Sequence, residues 1–158
     1  MASTFQNTVN LTPGKGIPGA FASINPGLSA PFNYLAKTGV NVGGFAWDNG
    51  DGTVSGTGTG APVGFVHLDR IYTTPCIAAE SSLAVPEGAP VEVFTGGDFF
   101  AAPTAAVTRG QKVFTSTKDG TLKGGEAGGS VAGSVETPFY WAEDVAAGET
   151  GVITTNFI

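Results

Sequence analysis

Cysteine, histidine and charge are all scarce in this chain of 158 residues. The single cysteine, Cys76, excludes an intrachain disulfide, so folding does not call for an oxidising compartment. The single histidine, His67, together with one cysteine cannot supply the usual ligand set of a zinc site. Charged residues make up 13% of the chain, about half the usual ~25%. Seven Lys and Arg against thirteen Asp and Glu leave a net charge of −6. The basic residues Lys15, Lys37, Arg70, Arg109, Lys112, Lys118 and Lys123 are scattered rather than clustered, which argues against nucleic acid as a partner. No apolar run approaches the ~20 residues of a membrane helix. The opening MASTFQNTVN lacks the basic and apolar regions of a signal peptide. The expectation is a protein made and used without export, with no membrane or nucleic-acid partner and no cofactor.

Glycine and proline are plentiful, at 25 and 10 residues. A hydrophobic fraction of 41% and eleven phenylalanines argue against disorder. No window carries a sustained helical stripe of apolar residues, and Gly or Pro recurs every few positions, where each weakens a helix. Short strand patterns take their place. Val40–Asp48 puts Phe45 and Trp47 on one face and Val40, Val42 and Ala46 on the other. It ends in the turn sequence Asp48-Asn49-Gly50-Asp51-Gly52, and residues 53–61 read as a flexible loop. Val63–Thr73 is apolar on both faces and reads as a central strand, and Ser82–Val85 as a short one. Pro90–Thr95 and Asp98–Ala102 flank Gly96-Gly97, a hairpin signal, as do Gln111–Ser116 and Thr121–Lys123 around Asp119-Gly120. Ser130–Trp141 aligns Val131, Val135, Phe139 and Trp141, with Pro138 marking an edge or a bulge. Gly151–Phe157 is a closing β-branched strand. The expected class is all-β, a jelly-roll-like antiparallel β-sandwich. Periodicity alone leaves an immunoglobulin-like sandwich or a closed barrel open.

Residues 1–39 differ from the rest. Pro13, Pro18, Pro26 and Pro31 interrupt any strand of useful length, yet Phe5, Phe21, Phe32 and Tyr34 are spaced among them. A disordered tail usually lacks aromatics. The expectation is an extended N-terminal arm over residues 1–39, ordered on a partner surface, followed by a β-sandwich over residues 40–158.

Residues able to carry chemistry do not assemble into a set. His67 and Asp69 share a strand face but no nucleophile elbow accompanies them. Cys76 has no activating base nearby in sequence. The stretch 48–59 lacks a third-position ligand and carries Thr59 where a calcium loop needs Glu. The glycines of 56–60 are followed by no Lys-Ser/Thr pair. Nothing sets a separation for Glu80 and Glu87, or for Glu136 and Glu143, as glycosidase carboxylates. Trp47, Tyr140 and Trp141 could form a sugar-stacking platform, which makes a carbohydrate-binding module on a virion or cell surface the alternative function. No enzyme is expected.

Several blocks, in order, resemble the capsid cement (decoration) proteins of tailed bacteriophages: MASTFQNTVN and Gly19–Pro26; Gly44-Phe45-Ala46-Trp47 with Asp51-Gly52-Thr53; Gly64-Phe65-Val66-His67; Gly96 to Phe100; Gly110 to Phe114; and Ala132 to Thr137. The similarity spans nearly the whole chain; Asp69 to Cys76 carries no family pattern. The resemblance implies a non-enzymatic jelly-roll-like domain on the outer surface of an HK97-type icosahedral head, made in the bacterial host cytoplasm. It implies the major capsid protein as partner, and self-association as a homodimer, with a trimer as the other form in such proteins. Phe21, Phe32 and Tyr34 are the candidate capsid-contact residues.

Overall fold

The computed structural model describes residues 14–69 and 83–156. Phe5, Cys76 and Phe157, and the expected strand segments beyond Asp69 and before Leu83, lie outside the described residues. Twelve short strands make up the regular structure: β1 (Leu28–Ser29), β2 (Tyr34–Ala36), β3 (Phe45–Asp48), β4 (Thr53–Ser55), β5 (Gly64–Val66), β6 (Pro90–Val91), β7 (Val93–Gly96), β8 (Asp98–Ala101), β9 (Lys112–Ser116), β10 (Leu122–Gly125), β11 (Ser134–Trp141) and β12 (Gly151–Thr154). They form a seven-stranded sheet in the order β1-β7-β5-β3-β4-β2-β6 and a five-stranded sheet in the order β10-β9-β11-β12-β8. All pairs are antiparallel except β2 with β4. The protein is an all-β sandwich.

Side-chain alternation decides how the layers stack. Phe45 and Trp47 of β3 and Phe65 of β5 point toward the five-stranded sheet. There they meet Phe99, Val113, Phe139, Trp141 and Ile153 in one buried cluster. The rings of Phe45, Phe65, Phe99 and Phe139 touch mostly edge to face or tilted, with centroids 5.1–6.2 Å apart, the geometry that ring quadrupoles favour. The intervening residues, Ala46 and Val66, join Tyr34, Ala36, Val40, Val42, Val54, Val91 and Val93 in a second core. That core exists because the larger sheet curls. β6 pairs with β2, and β7 pairs with β5. Only Glu92 separates β6 from β7, so one stretch of chain closes the sheet around its own small aliphatic filling. The layer is thus apolar on both faces: one packs on the other sheet, the other lines the curl.

Several elements match their sequence patterns. Of the expected strand 40–48 only Phe45–Asp48 forms, after a turn at 42–44; within it Phe45 and Trp47 face one core and Ala46 the other, as alternation requires. β9 and β10 pair as a hairpin, Leu122 opposite Thr115. Pro138 sits at a shift in the register between β11 and β9. β11 lies between β9 and β12, so the proline marks a bulge, not an edge. Lys112 fills that bulge: its ammonium donates to the Thr137 and Pro138 carbonyls at 3.3 and 3.2 Å and caps the Tyr140 ring at 3.8 Å.

Three expectations are corrected. Gly96-Gly97 is not a hairpin: β7 belongs to the seven-stranded sheet and β8 to the five-stranded one. Gly97 has φ +130°, and its amide donates to Thr155 Oγ1 at 2.9 Å instead of bridging a turn. Its glycine is the corner by which the chain changes layers. Residues 53–55, read as loop, form β4, because the buried Val54 packs inside the curl. Residues 14–39 contain strand despite their prolines: β1 sits against β7, and β2 enters the curl between β4 and β6.

Candidate interaction surface

Of the side chains singled out for chemistry, His67, Trp47, Tyr140, Trp141, Glu136 and Glu143 are occupied structurally, and Cys76 and Glu80 lie outside the described residues. His67 turns Nδ1 to the Gly19 carbonyl at 2.8 Å, and its ring lies 4.2 Å from that of Phe21. Trp47 and Trp141 are both buried in the inter-sheet core, with their indole N–H groups donating to the Gly60 and Lys123 carbonyls at 2.9 and 3.4 Å. With both indoles inside and Tyr140 under Lys112, the sugar-stacking platform is not formed. Glu136 accepts from the Gly128 amide at 2.8 Å, and Glu143 pairs with Lys15 at 3.2 Å. Asp48 and Asp51 accept the Gly50 and Thr53 amides of their own turn at 2.7 and 3.0 Å. The Thr53 hydroxyl, then Lys37 and the Thr53 amide, hold the Asp51 carboxyl down at about 2. Among the described residues no group of three or more His, Cys, Asp or Glu is placed to hold a metal ion.

The unusual feature is the N-terminal segment, which runs as a strap over the edges of both sheets. β8 ends the five-stranded sheet, and an edge strand offers a row of unpaired backbone groups. Residues 19–22 cover it: Gly19 N–H donates to the Phe100 carbonyl, Phe100 N–H to the Ala20 carbonyl and Ala22 N–H to the Asp98 carbonyl, at 2.8–2.9 Å. Further on, β1 pairs with β7, and Ala30 N–H donates to the Val93 carbonyl at 2.7 Å. The strap thus seals both layers where they separate at the Gly97 corner.

A buried carboxylate pins the strap between those two stretches. Asp98 is 8% exposed. One of its oxygens accepts from Thr154 Oγ1 at 2.6 Å; the other accepts from Ser23 Oγ and Asn25 Nδ2, each at 2.7 Å. Burial pushes the Asp98 carboxyl up, but these three hydrogen bonds favour the ionised form more and leave it below its ordinary value.

The strap carries apolar side chains outward. Among the described residues the exposed large hydrophobics are Ile17, Phe21, Ile24, Leu28, Phe32 and Leu35, all in this segment, and Leu83. Phe32 is 68% exposed and separates two shallow grooves of about 360 and 250 Å³. Phe21 is 43% exposed: one side rests on Phe99, Phe94 and His67, the other faces solvent. Tyr34 differs. It is 3% exposed, inside the curl, with its hydroxyl 3.4 Å from the Asp48 carboxylate, and burial followed by that charge raises its pKa. Of the three aromatics expected at a contact, two stand outward and one is core. The aliphatic members Ile17, Ile24, Leu28 and Leu35 carry no aromatic signal and no alternation, so the sequence did not single them out.

A family model described as XM1 gp53 minor capsid protein matches residues 5–155 of this chain. A chain of the solved structure "The capsid of Myoviridae Phage XM1" shares the fold with a TM-score of 0.62. It is 16% identical, and the match covers 96% of this chain and 97% of that one. No curated protein sequence matches.

Proposed function

Since this chain belongs to the XM1 gp53 minor capsid protein family, we propose that it is a structural protein of a phage head, a cement subunit bound to the outer surface of an HK97-type shell across the seams between capsomers. Its partner is the major capsid protein; its self-association is a homodimer at two-fold positions, with a trimer the alternative. It is made in the host cytoplasm and works in the virion, without catalysis. Residues up to 39 are its shell-facing part, and 40–158 the platform that presents them.

The observation that carries this reading is the gathering of exposed apolar side chains on the strap, Phe21 and Phe32 among them. Water penalises such a surface on a free subunit. The strap is hydrogen-bonded to the sheet edges over residues 19–30, so little ordering entropy is lost on docking. Tyr34 supports Phe32 from beneath, with ring centroids 6.2 Å apart. Binding only to the assembled shell stabilises that state by mass action, and symmetric repetition turns modest single contacts into avidity.

The test is reconstitution. Heads lacking the protein are mixed with purified subunit and sedimented. Saturable binding at a stoichiometry near that of the major capsid protein, with heads more resistant to heat, is the expected result. A protein that stays free in the supernatant and is missing from mature virions overturns the reading.

A further inference from the structure

We infer that Ile24 is the anchor of the shell contact, inserted into an apolar pocket on the assembled head, and that Asp98 is the positioning residue that aims it. This rests on the cement reading above. Ser23 and Asn25 flank Ile24, and both turn their polar ends inward to the same Asp98 oxygen at 2.7 Å. Residues 22–25 form a bend whose inner side is taken up by the Ser23 and Asn25 side chains. With the two flanking residues fixed inward, Ile24 is driven outward, and it is 103% exposed, the most exposed large hydrophobic among the described residues.

The turn is held on both sides as well as beneath. Ala22 N–H donates to the Asp98 carbonyl at 2.9 Å, and Asn25 N–H donates to Ser23 Oγ at 3.0 Å. Gly27 lies so close to the Phe94 ring that a Cβ there would come within 2.9 Å of it. Asp98 is itself held by Thr154, its pairing partner on the neighbouring strand β12, at 2.6 Å. A buried carboxylate with three donors is an expensive way to shape a loop, and its geometric result is one branched aliphatic side chain held rigidly in water. An anchor that needs no ordering on binding fits the centre of an interface, where a few residues dominate affinity. The partner is therefore a pocket of the assembled head surface that accepts a branched aliphatic group and excludes charge.

The test measures binding to heads lacking the protein for five forms of the full chain: wild type, Ile24→Ala, Ile24→Asp, Ser23→Ala/Asn25→Ala, and the triple variant Ser23→Ala/Ile24→Ala/Asn25→Ala. Each is first checked for cooperative unfolding well above the assay temperature; the Ile24 variants should melt as wild type does, and the forms lacking Ser23 and Asn25 somewhat lower, because Asp98 loses two donors. Ile24→Ala is expected to weaken binding roughly ten- to a hundredfold, the range for losing one buried aliphatic group, and Ile24→Asp to abolish it. Ser23→Ala/Asn25→Ala, which releases the turn but keeps the Asp98–Thr154 bond, is expected to weaken binding several-fold. In that background the additional loss from Ile24→Ala should shrink, a coupling that a merely structural role would not produce. Wild-type binding with unchanged affinity for Ile24→Asp overturns the inference and leaves the cement reading intact. Full additivity of the two changes overturns the role of Asp98. Wild type that does not bind heads overturns both.

Discussion

At the scale of single residues, the same kind of side chain does opposite work on the two sides of the backbone. Phe139 is fully buried among Phe45, Phe65 and Phe99; Phe32 stands in solvent on the strap. Phe139→Ala is expected to cost about 3–5 kcal/mol in urea unfolding, whereas Phe32→Ser should shift stability by no more than about 0.5 kcal/mol while weakening head binding. A Phe32 variant that unfolds as readily as the Phe139 variant would contradict this division. Asp98 gives a pH signature. Its hydrogen bonds from Thr154, Ser23 and Asn25 overcome burial and lower its folded pKa beneath the unfolded value of ~3.9. The folded state then binds fewer protons in that range. Its contribution is complete above the unfolded value and is lost as pH falls through the lower, folded one. Melting temperature should therefore fall below about pH 4, and fall less steeply in Asp98→Asn. Equal slopes in the two proteins would remove Asp98 from the account. The exposed Asp98 neighbours Ser23 and Asn25 were unreadable in advance, because nothing local relates them to a residue 73–75 positions away.

At the scale of elements, strands with complete alternation were legible and those made by pairing alone were not. Phe45 and Trp47, or Phe139 and Trp141, alternate with different residues and fall on the predicted face. β1 is two residues long and β2 three; neither carries a period, and both exist because a neighbouring edge offers backbone partners. The Gly96-Gly97 pair fits a hairpin and a corner equally well, and only the pairing of β8 with β12 and of β7 with β5 separates them. Gly97→Ala should destabilise by more than about 1 kcal/mol, because a side chain at φ +130° is strained. The strap has its own prediction. Removing residues 1–30 keeps β2 but uncovers the edges of β7 and β8. Such edges recruit other chains, so the shortened protein should scatter light increasingly with concentration, and a monodisperse product would show that the strap does not protect them.

At the scale of the whole molecule, a charge-poor surface and an apolar strap make one joint prediction. Contact dominated by apolar burial is barely screened by salt, since the Debye length matters only to charges. Decoration of heads should persist at about 1 M NaCl, and full release there would point to ion pairing as the main force. The sequence by itself determined the class of fold and the scarcity of ligating side chains: alternation with a period of two, frequent Gly and Pro, and one His and one Cys are local properties that no packing can reverse. Tertiary structure alone decided that the larger sheet closes on itself, that residues 14–39 add two short strands to it, that both indoles are interior and that Ile24 is not. Those outcomes depend on which distant backbone edge lies within hydrogen-bonding reach, and that is a property of the folded arrangement, not of any window of the chain.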